Sequence, residues 1–379
     1  MGDGPVTLFL CGDVMLGRGV DQILPRPGDP ELRESYVRDA RTYVELAEEV
    51  NGPILRPVAP AWPWGAALTA LEERRPDVRV VNLETSVTTS DDFAAGKSVH
   101  YRMNPANLPC LVAAAPDVCT LANNHVLDFG RRGLAETFDA LAGTGLGTAG
   151  AGRDEAEAWR PTAVPVDDRS RVLVFSFGLP SSGIPHGWAA RRDRPGVSLL
   201  TDLSPSSARR VTDHVQAAKR PGDVVVASVH WGPNWGYGLT ADETRFAHAL
   251  IDGGVDVVHG HSSHHPKPIE VYRGRLVLYG CGDFVDDYEG IRGWEEFRDD
   301  LRVMYFASLD PGTGTLAGLT MIPLQARKMR LEHASPADRT WLRGTLDRIS
   351  AEFGTGVEVD ADGTLTLRLP EVSAPRTGP

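Results

Sequence analysis

The chain is poor in lysine, in cysteine and in long apolar runs. Only four of its 39 basic residues are Lys, a bias of the kind that base composition produces and to which we attach no function. Four cysteines, Cys11, Cys110, Cys119 and Cys281, form no close pair, which excludes a disulfide scaffold and a CxxC motif. They stand in apolar segments such as LFLCGDV, where a small buried thiol is expected, and a reducing compartment fits. No stretch reaches the 18 or so apolar residues of a membrane helix. The opening MGDGPVTLFLCGDV has no basic or long apolar leader region. The expectation is a soluble, cytoplasmic protein with no membrane partner. Basic charge is also short: 39 Lys plus Arg against 51 Asp plus Glu gives −12, which disfavours nucleic acid and anionic lipid. With 40 Gly and 28 Pro in 379 residues, low complexity is excluded as well.

What is present is a run of short apolar segments: Val6–Cys11, Val78–Asn82, Val118–Leu121, Val172–Phe177, Val224–Val229, Val255–His259 and Leu276–Tyr279. Strands covered on both faces look like this. Helical spacing falls between them over Gly65–Arg74, Arg131–Ala142 and Thr240–Ile251, the last behind a Thr–Ala–Asp–Glu start. Such alternation predicts an α/β layered fold. Residues 20–64 read as an insertion around one helix, Glu31–Glu49. After Arg302 the pattern changes to a strand pair (Arg302–Leu309, Thr315–Pro323), a helix over Ala337–Glu352, and short strands at Gly356–Val359 and Thr364–Leu369. The expected organisation is one large domain over 1–325, a C-terminal extension over 326–372 packed on it, and a frayed tail, Ser373–Pro379.

Polar residues recur at the C-terminal ends of the strands. Asp13 follows the first and Glu84 the second. Asn123–Asn124–His125, with Asp128 one turn on, follows the third. Then come His230–Trp231–Gly232 and His259–Gly260–His261–Ser262–Ser263–His264–His265. Taken singly, each has a plain structural explanation: a turn, a capping amide, a satisfied core histidine. Asp128 could orient His125 through its ring or merely cap the helix that follows. Ligands of open α/β sheets bind outside the carboxyl ends of strands, so these loops converge on one rim. Carboxylate, amide and imidazole together suit one or two divalent cations, which activate water and polarise phosphoryl or carbonyl oxygens. Arg18 is available to hold an anionic oxygen. Trp62, Trp64, Trp188, Trp231, Trp235 and Tyr237 fall in loops, where they line a cleft or pin the loop, and Ser181–Arg194 reads as a lid.

The ordered set GDVMLGR, NLET, LANNHVLDFGRRGL, VHWG, GH…H and IEVYRGRLVLYGCGDF resembles the capsule-synthesis CapA family, also called poly-γ-glutamate synthesis proteins, which is similar to calcineurin-like metallophosphoesterases. The resemblance implies a four-layer α/β/β/α sandwich with a centre of one or two ions (Mn, Zn, Fe or Mg). It implies Asp13, Glu84, Asn124, His230 and His264 as metal ligands and His125 as the catalytic imidazole, with Asp128 the residue that could orient it. Arg18, Asn123, Trp231, His261, Ser262 and His265 are left for the substrate. Met15 stands where typical metallophosphoesterases have a histidine, Ser262–Ser263–His264 replaces a His–Pro–His, and Gly282–Asp283–Phe284 replaces a Gly–Asn–Phe. His261 or His265 could supply the missing imidazole. Three functions follow: a metal-dependent hydrolase of a phosphoester in an anionic small molecule, the same site acting on an amide or γ-glutamyl substrate, and a binding or assembly module without turnover.

Overall fold

A computed structural model describes residues 4–369; the tail expected over Ser373–Pro379 lies outside them. Strands β1 (Val6–Val14), β2 (Val78–Leu83), β3 (Val118–Thr120) and β4 (Gly147–Ala149) are parallel neighbours in the first sheet. The chain then builds a second sheet from β5 (Thr162–Pro165), β6 (Arg171–Gly178), β7 (Val224–His230), β8 (Val257–His261), β9 (Ile269–Tyr272) and β10 (Arg275–Leu278). Its order is β9-β10-β8-β7-β6-β5, with β6, β7, β8 and β10 parallel. It returns to the first sheet through β11 (Asp283–Val285), parallel to the end of β1, and β12 (Leu301–Leu309), antiparallel to its start. Strand β13 (Leu316–Ala326) follows, carrying β14 (Leu331–His333) and β16 (Leu365–Arg368), with β15 (Gly356–Val359) outermost. Both large sheets are therefore mixed.

Side-chain alternation sorts these strands into layers. Leu8, Leu10, Val78, Val80 and Val118 meet Val172, Val174, Val224, Val226 and Val257 in one cluster between the sheets. The alternate residues Phe9, Cys11, Val81 and Cys119 pack against the helices Arg41–Asn51, Ala66–Arg74 and Gly130–Ala142. On the far face, Leu173, Phe175, Val225 and Ala227 pack against Pro205–Ala218 and Ala241–Asp252. All four cysteines are buried and unpaired. No helix of the described residues is long and apolar enough to cross a membrane.

Several boundaries differ from expectation: β1 runs on to Val14, past the expected end at Cys11, so Asp13 lies inside it. The insertion helix begins at Arg41, not Glu31: Leu32 N–H donates to Arg38 O, Ala40 N–H donates to Pro30 O, and Asp39 accepts from the Arg41 N–H, so the preceding residues close a loop. The sixth apolar run pairs over Val257–His261, not Val255–His259, because Asp256 stays in the turn, where it accepts from the Val225 N–H and from Lys219. His259 and His261 therefore lie inside a strand. The Pro205–Ala218 helix, with few apolar positions on its inner side, was not expected from the sequence.

Candidate metal centre

The same alternation aims the polar strand ends inward. On β2, Val78 and Val80 face the second sheet, and so do Asn82 and then Glu84; on β7 and β8 the inward series ends in His230 and His261, which are register partners. On β1, alternation alone would turn Asp13 toward the helices. A one-residue irregularity between Leu10 and Asp13 re-aims it. Asp13 is then flanked by Asn82 on one side and Asp283 on the other. This approach of β11 needs Gly12, where a Cβ would stand 1.7 Å from Gly282 O. Ser262 holds φ at +95° and its N–H donates to Asp13 Oδ2 at 2.9 Å, a left-handed conformation that costs of order 1–3 kcal/mol.

A buried polar chain fixes the imidazoles. His259 Nε2 donates to Cys11 O (2.7 Å), and Ser228 Oγ, which donates to Thr120 Oγ1 at 3.3 Å, lies 3.2 Å from His259 Nδ1. Ser228 Oγ in turn accepts from His261 Nε2 at 2.8 Å. His230 Nε2 donates to Asn124 Oδ1 at 3.0 Å. These bonds assign both remaining Nδ1 atoms as lone pairs. The two Nδ1 atoms stand 2.7 Å apart, with Asp13 Oδ1 at 3.6 Å from that of His261. Three electron-rich atoms so placed repel one another unless a cation joins them. Among the described residues Asp13, His230 and His261, all buried, form a group whose ligand atoms lie within 4.8 Å of one another, close enough to hold a metal ion.

The electrostatics agree. Burial, then the neighbouring Asp283 charge, pushes the Asp13 carboxyl up to about 7 against the hydrogen bonds it accepts. Burial, then Asp13, raises Glu84 well above the carboxylate range. Burial holds His230 and His261 neutral. Asp283 Oδ1 accepts from His264 Nδ1 at 2.9 Å, while its Oδ2 is buried and unpartnered among the described residues. A buried carboxylate oxygen without a donor points to a cation. So the donor set fits a divalent ion.

His125 stands at the mouth, its Nε2 at 3.7 Å from Glu84 Oε1. Its Nδ1 contacts Asp128 Oδ2 at 2.6 Å, and Asp128 Oδ2 also accepts from the Tyr101 N–H. The Asp128 side chain thus orients the ring instead of capping the following helix, which has no side-chain cap. Burial takes His125 down to about 4 although Asp128 opposes it.

Several expected roles do not fit the geometry. The imidazole of His264 donates from Nδ1 to Asp283 and accepts at Nε2 from Asn234 (2.8 Å), so it orients a carboxylate instead of offering a lone pair. His265 donates to Pro266 O and accepts from the Gly236 N–H, away from Asp13; of the two candidates for the missing imidazole, His261 is the one beside Asp13. Arg18 is no free anion clamp: its guanidinium is buried, paired with Asp287 (2.8 Å) and Glu34 (2.9 Å), and lies over Tyr43. Trp231 is buried, stacked on Tyr279, its Nε1–H on Tyr279 O. Asn123 binds Leu83 O and accepts from the His125 and Val126 N–H groups, which shapes the loop. The sequence reading missed Asn82, whose amide donates to Asp13 Oδ1 at 2.6 Å, as well as Asp283 and Lys97. Asn82 and Asp283 stood inside the quoted NLET and GCGDF. Lys97 gave no signal.

A buried Asp–His–His cluster between two mixed sheets thus defines a candidate metalloprotein of α/β class. The chain belongs to the bacterial capsule synthesis protein PGA_cap family, whose model matches residues 7–288. It is 55% identical over 363 residues, 96% of each chain, to a protein of Mycobacterium tuberculosis named "Probable polyglutamine synthesis accessory protein". It is also 27% identical to the "PGA biosynthesis protein CapA" of Bacillus subtilis, over 82% of this chain and 70% of that one. To the "Capsule biosynthesis protein CapA" of Bacillus anthracis it is 26% identical, over 85% and 68%.

Proposed function

We propose that this chain is a metallophosphoesterase-like hydrolase that cleaves a phosphoester in an anionic small molecule or conjugate. The observation that carries the reading is the pair of Nδ1 lone pairs on His230 and His261 turned on Asp13 Oδ1. The helix–sheet–sheet–helix layering supports the metallophosphoesterase-like assignment. Asp13, His230 and His261 would hold an ion of the Mn, Zn, Fe or Mg class, with Asp283 Oδ2 and Glu84 beside it. Such an ion, when bound, generates a nucleophile from water and polarises a phosphoryl oxygen.

The chain's own groups do the rest. Asp128 holds His125 by Nδ1, so Nε2 is the atom turned to the mouth, where its lone pair can take a proton from the attacking water and return it to a leaving oxygen. Glu84, Asp13 and Asp283 together carry at most −3, which offsets one divalent ion and leaves a two-ion centre net positive. The net charge of −12 therefore does not bar an anionic substrate. The test is turnover of a phosphomonoester or diester by purified protein with Mn²⁺, with Asp13→Ala and His125→Ala abolishing it. Activity surviving both changes would end this reading.

The names of the relatives favour a second reading, in which the same centre attacks an amide or γ-glutamyl bond within polyglutamate synthesis. Product analysis on matched phosphate and amide substrates separates the two. The non-catalytic module loses its main support, since His261 stands beside Asp13 where Ser262 seemed to leave an imidazole missing.

A further inference from the structure

We propose that Lys97 is the positioning residue of this site, holding His125 through Asp128 and holding the Asn124 loop through its carbonyl. The inference rests on the hydrolase reading above. Lys97 lies in a stretch without helix or strand between Ser90 and His100. Its ammonium reaches across to Asp128 Oδ1 and to Asn124 O, and stands 2.9 Å from His125 Nδ1. The first two are hydrogen bonds that the ammonium donates; the third is a close approach, because His125 Nδ1 carries the proton that Asp128 Oδ2 accepts.

Geometry assigns the share of each. Asp128 is fully buried, and its Oδ2 accepts from His125 and from the Tyr101 N–H. Without Lys97, Oδ1 would have no cation and the carboxylate would be free to turn about its Cβ–Cγ bond. The His125 ring would turn with it. The Asn124 carbonyl lies between the amide that meets His230 and the imidazole at the mouth, so one ammonium pins both. The Lys97 ammonium also lies 5.3 Å from the Trp188 ring centroid, which ties the Ser181–Arg194 segment to the same rim. Lys97 touches neither Asp13, His230 nor His261. Its main effect therefore falls on His125, with a smaller one reaching His230 through Asn124.

The test uses Lys97→Met and Lys97→Arg in the full chain. With Mn²⁺ and two phosphoesters of one phosphoryl group, an alkyl ester and a p-nitrophenyl ester, Lys97→Met should lower kcat on the alkyl ester by about 10²-fold, the size of a lost proton-transfer contribution. The loss on the p-nitrophenyl ester should be several-fold smaller, because that leaving group needs little proton donation. KM and the Mn²⁺ affinity should move by less than about threefold, and Lys97→Arg should recover most of the rate. Equal losses on both esters, or an unchanged kcat, would overturn the proposal. A crystal structure of Lys97→Met is read independently of turnover. A displaced Asp128 carboxylate and a turned His125 ring support the proposal even if the wild type hydrolyses neither ester, an outcome that counts against the phosphoesterase reading alone. An undisturbed His125–Asp128 pair refutes it.

Discussion

His230 and His261 face each other through Nδ1 atoms 2.7 Å apart, and the bonds at their other nitrogens leave neither with a proton to share. A cation held between them would relieve the repulsion of the two lone pairs.

Removing one lone pair tests this directly. His261→Ala should weaken Mn²⁺ or Zn²⁺ binding by at least the roughly 10–100-fold seen when only the supporting shell of a metal site is disturbed. His265→Ala should leave metal affinity within about twofold. Calorimetric titration of both variants decides, and equal affinities would remove His261 from the ligand set.

The raised Asp13 carboxyl, with its value near 7 against 3.9 or so when unfolded, gives metal-free protein a pH signature. A folded-state pKa above the unfolded one contributes stability that is complete below about pH 4 and lost as pH rises through 7. Asp286, pushed by burial to about the same value, adds the same sign. His125, His259 and His265, lowered by burial to about 4, act oppositely, their contribution being complete above about 6.5 and lost as pH falls through 4. Mn²⁺ relieves the carboxylates, so the rise in Tm on adding it should be larger at pH 8 than at pH 5.5. Thermal melts at the two pH values check this; equal shifts would contradict carboxylate ligation.

Arg18 should prove a structural residue. Arg18→Met leaves Asp287 and Glu34 buried without their cation, and breaking such a pair costs about 3–5 kcal/mol. Denaturant melts should show a midpoint shift of that size, while KM for an anionic substrate, measured on the folded fraction, stays near wild type. A raised KM at unchanged stability would restore Arg18 as an anion clamp.

The sequence made the strand cores and the rim legible for one reason: residues buried on both faces leave uninterrupted apolar runs, and the polar residues that end them are conspicuous. It hid which rim residues converge. Asp13 faces inward only because of a strand irregularity that no local pattern announces. His261 looked like part of a polar histidine loop because the β8 register begins two residues later than its apolar run. Arg18 read as available to an anion because its partners, Glu34 and Asp287, are 16 and 269 residues away. Lys97 acts from a segment with no periodicity at all, so only the tertiary structure places it.

Asp13 and Asp283 belong to the first sheet, His230 and His261 to the second. An ion held among them is a rivet through the two halves of the sandwich, joining residues as far apart as 13 and 261. Anything that binds only the docked state stabilises it by mass action. The supply of that ion in the cell would then govern how long the sheets stay docked against proteolysis, and so the lifetime of the protein as well as its chemistry.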